Sequence, residues 1–252
     1  MSVLFLMVAR SGSKGVPNKN MRRIGGLTLI GWKAHPILQY FKISDTANND
    51  VMAISTDSEE YKTEARSWGF DAPFTRPEHL STDTAATSDV IIHALDWYEK
   101  EQSKYFDSVC LLEPSTPFLN LRLLCEIFRK SVDERADLVV AMREVSINPI
   151  FVGDVPSDSF VTPIIVKMEA YGKNHHLRRQ DLKPQWTMSG ACYLVSVKTL
   201  RTTGNIYGGA RNFGVMFDRW HSIDIDEPRD LDLAEMAVKN SFVGKPEFLQ
   251  KL

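Results

Sequence analysis

The first twenty residues constrain this chain more than any other stretch. Ser2 to Ala9 (SVLFLMVA) is a continuous apolar run that breaks into Arg10-Ser11-Gly12-Ser13-Lys14-Gly15-Val16-Pro17-Asn18-Lys19-Asn20. A short apolar run bounded by polar residues predicts a buried strand. The loop behind it holds two glycines and three cations, Arg10, Lys14 and Lys19. Glycine lets backbone N–H groups approach an anion closely, and Arg and Lys neutralise its charge. That is the form of a phosphate site. It is also the form of a plain turn, and the loop alone leaves both readings open. Neither G-x-x-x-x-G-K-[ST] nor G-x-G-x-x-G is present, so neither of those two phosphate fingerprints applies.

The next 120 or so residues repeat the theme of apolar strand, polar end and amphipathic helix. Met21 to Thr28 reads as a turn through Gly25-Gly26. Leu29 to Phe41 has helical spacing, and Pro36 is expected to kink that helix or limit its start. Val51 to Ser55 predicts a strand ending at Thr56-Asp57-Ser58, where Asp57 or Ser58 caps a helix over Glu59 to Trp68. Asp71 to Thr75 reads as another short strand. Val90, Ile91, Ala94, Leu95 and Tyr98 share one helical face. Ser108 to Leu112 is a strand stopped by Glu113-Pro114-Ser115-Thr116-Pro117, then come a helix from Leu121 to Val132 and a strand from Asp137 to Met142. Such alternation predicts an α/β fold, Rossmann-like, with a mostly parallel sheet flanked by helices. Ligand chemistry then belongs where strands end: Arg10 to Asn20, Thr56-Asp57 and Glu113 to Thr116.

The pattern changes over residues 145–184. This stretch has β-prone pieces at Phe151-Val152 and Phe160 to Lys167, prolines, and a polar run from Tyr171 to Lys183. It reads either as an inserted arm that pairs with another subunit or as a long surface loop. The sheet resumes from Gly190 with Ala191 to Val195, followed by a helix near Val197 to Thr203 and a strand over Asn212 to Phe217. A final helix runs from Arg229 to Lys239. Residues 1–252 are thus one domain with an insertion at 145–184.

Ile223-Asp224-Ile225-Asp226 alternates strictly. In a strand, residues i and i+2 share a face, so both carboxylates would point one way. Paired carboxylates repel unless a cation lies between them, and Mg²⁺ commonly takes one or two carboxylates, with waters and phosphate oxygens completing its shell. Solvated charges on a strand edge are the plainer reading. Taken with the cationic loop, however, the pair supplies what nucleotidyl transfer requires.

Composition narrows the classes. A net charge of −2 argues against general nucleic-acid binding, which needs a basic face. Cys110, Cys125 and Cys192 lie far apart and form no C-x-x-C, so a reducing cytoplasmic location is expected. The opening run is too short for a signal peptide, and no apolar stretch is long enough to span a bilayer. His175-His176 and Arg178-Arg179 read as surface residues unless a substrate carboxylate meets the arginines.

At this level of detail the chain resembles the CMP-sialic acid synthetases, the acylneuraminate cytidylyltransferases. The resemblance runs through Ala9 to Asn20, Ser55-Thr56-Asp57, and Arg76-Pro77 through Leu80 to Asp83-Thr84-Ala85. It continues through Leu111 to Pro117, Arg178 to Leu182, Gly190 to Tyr193, and Ser222 to Asp226. It implies an enzyme that joins CTP to an acidic nonulosonic sugar, releasing pyrophosphate, with Mg²⁺ as cofactor. By position it implies catalytic roles for Arg10, Lys14, Lys19 and Asp226. Nucleotide contacts fall on Arg10, Ser11, Gly12, Lys14, Asn20, Arg76 and Thr87. Sugar contacts fall on Glu113, Ser115, Arg179, Ser189 and Tyr193, and metal ligation on Asp224 and Asp226. It also implies a homodimer in which 145–184 caps the partner's sugar site.

Two departures stand out. The family pattern has Gln where this chain has Glu113, and Arg-x-Asn-Gly where it has Thr187-Met188-Ser189-Gly190. A carboxylate in place of an amide loses donors and adds charge beside an acidic substrate. These changes imply a sugar other than N-acetylneuraminate, one resembling legionaminate or pseudaminate or carrying a free amine. A transferase for another base or sugar, or a non-catalytic nucleotide-binding relative, are the alternatives.

Overall fold

In the computed structural model, residues 1–44, 49–154, 162–172 and 182–244 are described. The strand predicted from the opening run is β1 (Val3–Val8), buried along nearly its whole length. Its side chains alternate between two cores. Val3, Phe5 and Met7 face one side, and Leu4 and Leu6 the other. A strand buried on both faces has no polar positions to spare, which is why the sequence shows a continuous apolar run.

A tight hairpin follows, β2 (Arg23–Ile24) and β3 (Leu27–Thr28). Its turn needs Gly25 and Gly26, both at positive φ. Helix α1 (Leu29–Ile43) is capped by Thr28, whose side chain accepts from the Gly31 N–H. Pro36, expected to kink this helix or limit its start, lies inside α1 and is buried, so the second of those effects does not occur. Strand β4 (Val51–Ser55) and helix α2 (Glu59–Ser67) come next, and Ser58 caps α2. Then come helix α3 (Thr87–Gln102), strand β5 (Ser108–Leu112), helix α4 (Leu121–Glu134) and strand β6 (Leu138–Glu144). Helix α5 (Thr162–Gly172), strand β7 (Trp186–Ser196), helix α6 (Val197–Thr203), strand β8 (Asn212–Phe217) and helix α7 (Pro228–Lys239) complete the order.

The six-stranded sheet runs β4-β1-β5-β7-β6-β8. β1 pairs in parallel with β4 and β5, and β6 with β8, while β7 runs antiparallel between β5 and β6. Ile30, Ala34 and Ile37 of α1 and Leu123, Leu124 and Ile127 of α4 fill the core on one face. Ile91, Ala94, Leu95 and Tyr98 of α3 fill the other. The chain therefore leaves β1 by one face to reach β4 and returns by the other to reach β5. That reversal makes the C-terminal end of β1 a topological switch point, where open α/β sheets place ligands.

Four expectations are corrected. Asp71 to Thr75 makes only a bridge between Asp71 and Ala53; Pro73 lacks the N–H a ladder needs. Strand β7 starts at Trp186, before Gly190, because Trp186 to Met188 pair with the end of β6. In the 145–184 stretch, Pro149–Phe151 is a 3₁₀ turn, where Asn148 accepts from the Ile150 N–H, and α5 covers part of the run read as β-prone. Last, Ile223 to Ile225 joins no sheet. Ile223 and Ile225 are nevertheless buried against α7 residues Ala234, Ala237 and Val238, so the alternation reflects packing rather than a ladder.

Candidate active site

A cleft of about 380 Å³ opens at the end of β1. Arg10, Lys14, Lys19 and Asn20 of the first loop line it, with Arg76, Thr87, Glu113, Ser115 and Asp226. Four cations thus converge on one cavity in a chain of net negative charge.

The loop is held from several sides. Ser11 donates its N–H and its hydroxyl to the Asp57 carboxylate, at 2.8 and 2.7 Å. Burial opposes ionisation of Asp57, but the Ser11 side-chain and backbone hydrogen bonds outweigh it and hold the carboxyl below its usual range. Gly15 is required for closure: a Cβ there would lie 2.1 Å from the Asp226 carbonyl oxygen. Lys19 donates to the Ile225 carbonyl at 2.7 Å and to the Asp226 carboxylate at 3.2 Å. Ser11 and Gly12 are exposed and do not line the cleft.

Arg76 is buried and donates to the Ser55 hydroxyl at 3.1 Å and to the Ser55 carbonyl. Burial pulls its guanidinium down to about 10, still cationic near neutral pH. Asp83 accepts from Arg10, and from Lys14 at 2.5 Å. Lys14 first, then Arg10, holds the Asp83 carboxyl below its usual range. A carboxylate thus lies between two cations on the cleft wall.

Glu113 and Ser115 follow β5. Burial, then the charge of Asp224, pushes the Glu113 carboxyl up to about 7, against the pull of Lys33 and Lys19. Tyr193 lies buried on β7, its phenol pushed up by burial and then by Glu113. Ser189 is buried on the same strand. Gly190 next to it lets Glu113 settle on the backbone, since a Cβ there would lie 2.1 Å from Glu113 Oε2.

The two aspartates do not share one cavity. Asp226, with its side chain 74% exposed, faces the first cleft. Asp224 accepts from the Thr116 hydroxyl at 3.3 Å and opens on a neighbouring groove of about 470 Å³, beside Arg143, Thr187 and Trp220. Outside a ladder, nothing forces residues i and i+2 onto one face. Ile225 fixes the segment between the cavities by donating its N–H to the Ser115 carbonyl at 2.8 Å. Among the described residues no group of three or more His, Cys, Asp and Glu could hold a metal. Mg²⁺ needs only one or two protein carboxylates; of the two, Asp226 lines the cationic cleft and Asp224 the neighbouring groove. Arg179 and His175-His176 lie outside the described residues.

Lys33 was invisible to motif reading. It lies on the apolar stripe of α1 with Leu29 and Ile37, fully buried behind Glu113. Its one signal was a lysine at an i+4 position of that stripe. Cys110 and Cys192 are buried free thiols with sulfurs 3.3 Å apart.

A cationic loop at a switch point, faced by carboxylates, is the layout of a nucleotidyl-transfer site. A family model described as cytidylyltransferase matches residues 4–149, and this chain belongs to the cytidylyltransferase family. It is 30% identical over 246 residues to the CMP-N,N'-diacetyllegionaminic acid synthase of Legionella pneumophila, covering 93% of this chain and 95% of that protein. It is 27% identical over 243 residues to the pseudaminic acid cytidylyltransferase of Campylobacter jejuni, covering 95% and 97%. In structure it resembles CMP:2-keto-3-deoxy-manno-octonic acid synthetase complexed with CTP, with a TM-score of 0.64, 14% identity, and 96% and 100% coverage. That last likeness concerns the fold.

Proposed function

We propose that this protein transfers a cytidylyl group from CTP to an acidic nonulosonic sugar, releasing pyrophosphate. The observation that carries the reading is the convergence of Arg10, Lys14, Lys19 and Arg76 with Asp226 and Glu113 in one cleft. The names of the relatives supply the base and the sugar class. The anomeric hydroxyl oxygen bonds to the α-phosphorus as the α–β bridging bond breaks. The hydroxyl proton is released, and pyrophosphate leaves with the bond pair. Arg10, Lys14 and Lys19 neutralise the triphosphate and the charge that develops on the leaving group. Asn20, Arg76 and Thr87 hold the nucleotide, with Ser11 and Gly12 shaping the loop. Asp226 in the cleft would hold Mg²⁺, with Asp224 across Ile225 as the second candidate ligand, and the ion would supply further charge neutralisation at the phosphates.

The sugar end falls to Glu113, Ser115, Ser189, Tyr193 and Arg179. The Glu113 carboxylate and the Thr187-Met188-Ser189 stretch favour a legionaminate-like or pseudaminate-like acid, or one with a free amine, over N-acetylneuraminate. The protein acts as a homodimer, with 145–184 reaching the partner. Exposed Ile165 and Val166 on α5 support this by offering apolar surface to a second chain. Among the described residues no helix is long and apolar enough to cross a membrane. Unpaired cysteines and the use of CTP favour the cytoplasm.

The test is pyrophosphate release from CTP with Mg²⁺ across a panel of nonulosonic acids and 3-deoxy-octulosonate. Release with a nonulosonic acid is the expected result. Silence across the panel in protein that binds no CTP sinks the reading. N-acetylneuraminate giving the highest kcat/KM sinks the sugar preference alone.

A further inference from the structure

Lys33 is 0% exposed, and no role above uses it. Its ammonium donates to the Thr116 carbonyl and, at 2.8 Å, to the Ala191 carbonyl. Those carbonyls belong to two segments that meet behind the cleft floor. One is the turn after β5, which carries Glu113 and closes with the Thr116 N–H donating to the Glu113 carbonyl at 3.2 Å. The other is the Gly190-Ala191 stretch of β7. The segments already touch, because the Gly190 Cα lies against Glu113 Oε2 and the Thr116 hydroxyl. Thr116 in turn donates to Asp224. One buried cation thus pins the backbone beneath both carboxylates.

Carbonyl dipoles do not neutralise an ammonium, and a buried charge needs a counter-charge. Burial holds the Lys33 ammonium down to about 8, opposed by Cys192, then Glu113, Cys110 and Asp224; the two cysteines are free thiols, which leaves the carboxyl groups of Glu113 and Asp224 as its counter-charges. Glu113 has the matching need. Asp224 and Asp226 both disfavour its charge, and the cations that act on it are Lys33 and Lys19.

We propose that Lys33 is a positioning residue for the sugar end of the site: pinned to the Thr116 and Ala191 carbonyls, its buried charge compensates Glu113 and fixes the carboxylate floor on which the sugar is seated. The inference rests on the cytidylyl-transfer reading above. The competing role is that of a strut, tying two carbonyls with no regard to Glu113. The two differ in one respect. A strut costs the same when lost whether or not Glu113 is charged, whereas a counter-charge does not.

The experiment compares wild type, Lys33→Met, Glu113→Gln and the double variant. Each is measured by thermal melting, by CTP binding in the absence of sugar, and by kcat and KM for both substrates. In Lys33→Met, sugar kcat/KM should fall at least about tenfold while CTP affinity stays within about twofold, as for a residue coupled to one contact only. The double variant should lose less than the product of the single losses, by about tenfold, because removing both buried charges leaves neither unpaired. Independent, multiplying losses overturn the proposal, as does a matching loss of CTP affinity. Should Lys33→Met fail to fold, a folded double variant supports the pair, and failure of both overturns it. A wild type that binds no CTP and turns over no acid on the panel sinks the cytidylyl-transfer reading instead. The melting temperatures then decide the pair, with non-additive shifts supporting it and additive shifts overturning it.

Discussion

Lys19 and Asp226 stand 207 positions apart in the chain and pair at 3.2 Å across the mouth of the cleft. The lysine side chain is 17% exposed and the aspartate 74%, so the pair joins an anchored cation to an open carboxylate. The same closure brings the Gly15 Cα against the Asp226 carbonyl. One contact therefore fixes the distance between the phosphate loop and the acidic segment, the separation a triphosphate has to fit.

Lys19→Met tests the cation in that pair. Losing one charge aimed at a developing phosphate charge should cost roughly 100-fold in kcat. Pyrophosphate release at saturating CTP and sugar reads it. An unchanged kcat would leave Lys19 with only the closing of the cleft.

Asp226→Ala should remove Mg²⁺-dependent turnover and leave the fold intact. With its side chain 74% exposed, the substitution should change stability by about 0.5 kcal/mol or less. A melting curve checks the fold, and turnover over a Mg²⁺ titration checks the role. Turnover that still responds to Mg²⁺ would take Asp226 out of the metal site.

Asp83 accepts from Arg10 and Lys14, two groups assigned here to the triphosphate. A nucleotide must compete with that carboxylate for both. Asp83→Asn should therefore tighten CTP binding, by about twofold to fivefold for a partly exposed ion pair. Calorimetry on the sugar-free protein measures it. Weaker binding would mean that Asp83 orders the cations rather than masking them.

Gly190→Ala drives a methyl toward Glu113 Oε2, 2.1 Å from where the Cβ would lie. Overpacking of this kind costs about 1–3 kcal/mol. The melting temperature should drop by several degrees, roughly 3–10 °C, and sugar KM should rise more than CTP KM. A variant that melts and turns over like wild type would show that Glu113 is free to move away.

Glu113 gives a pH signature. Its carboxyl stands at about 7 in the folded chain against an ordinary 4.5, so the folded state holds the proton more tightly. Its contribution to stability is then full below about 4.5 and lost as pH rises through about 7. Glu113→Gln has no such titration. Relative to wild type, its unfolding free energy should rise between pH 4.5 and 7 by something on the order of 3 kcal/mol. Urea unfolding at several pH values, in chelator, reads the difference. A constant difference across that window would remove the strain assigned to this carboxyl.

The elements were largely legible because each obeys a local rule. β1 and β5 are buried on both faces and read as unbroken apolar runs. The first turns of α1, α2 and α4 carry Thr28, Ser58 and Asn120 as caps. Failures came where a local preference met a tertiary one. Ile223 and Ile225 alternate as a strand would, yet no neighbour offers them a ladder, and α7 buries them instead. Pro36, read as a kink in this helix or a limit on its start, lies inside α1 with its ring in the packed interior.

The sequence by itself determined the α/β alternation, the cationic loop, the positions where strands end and the acidic pair, since these follow from hydrophobic period and residue chemistry over short spans. Only the tertiary structure decided which of those ends meet. It brought Lys19 to Asp226, set Asp83 between Arg10 and Lys14, turned Asp224 and Asp226 toward different cavities, and buried Lys33 behind Glu113. The physical reason is range. Periodicity and capping act within a few residues, whereas burial and charge depend on every group that the fold folds back against them.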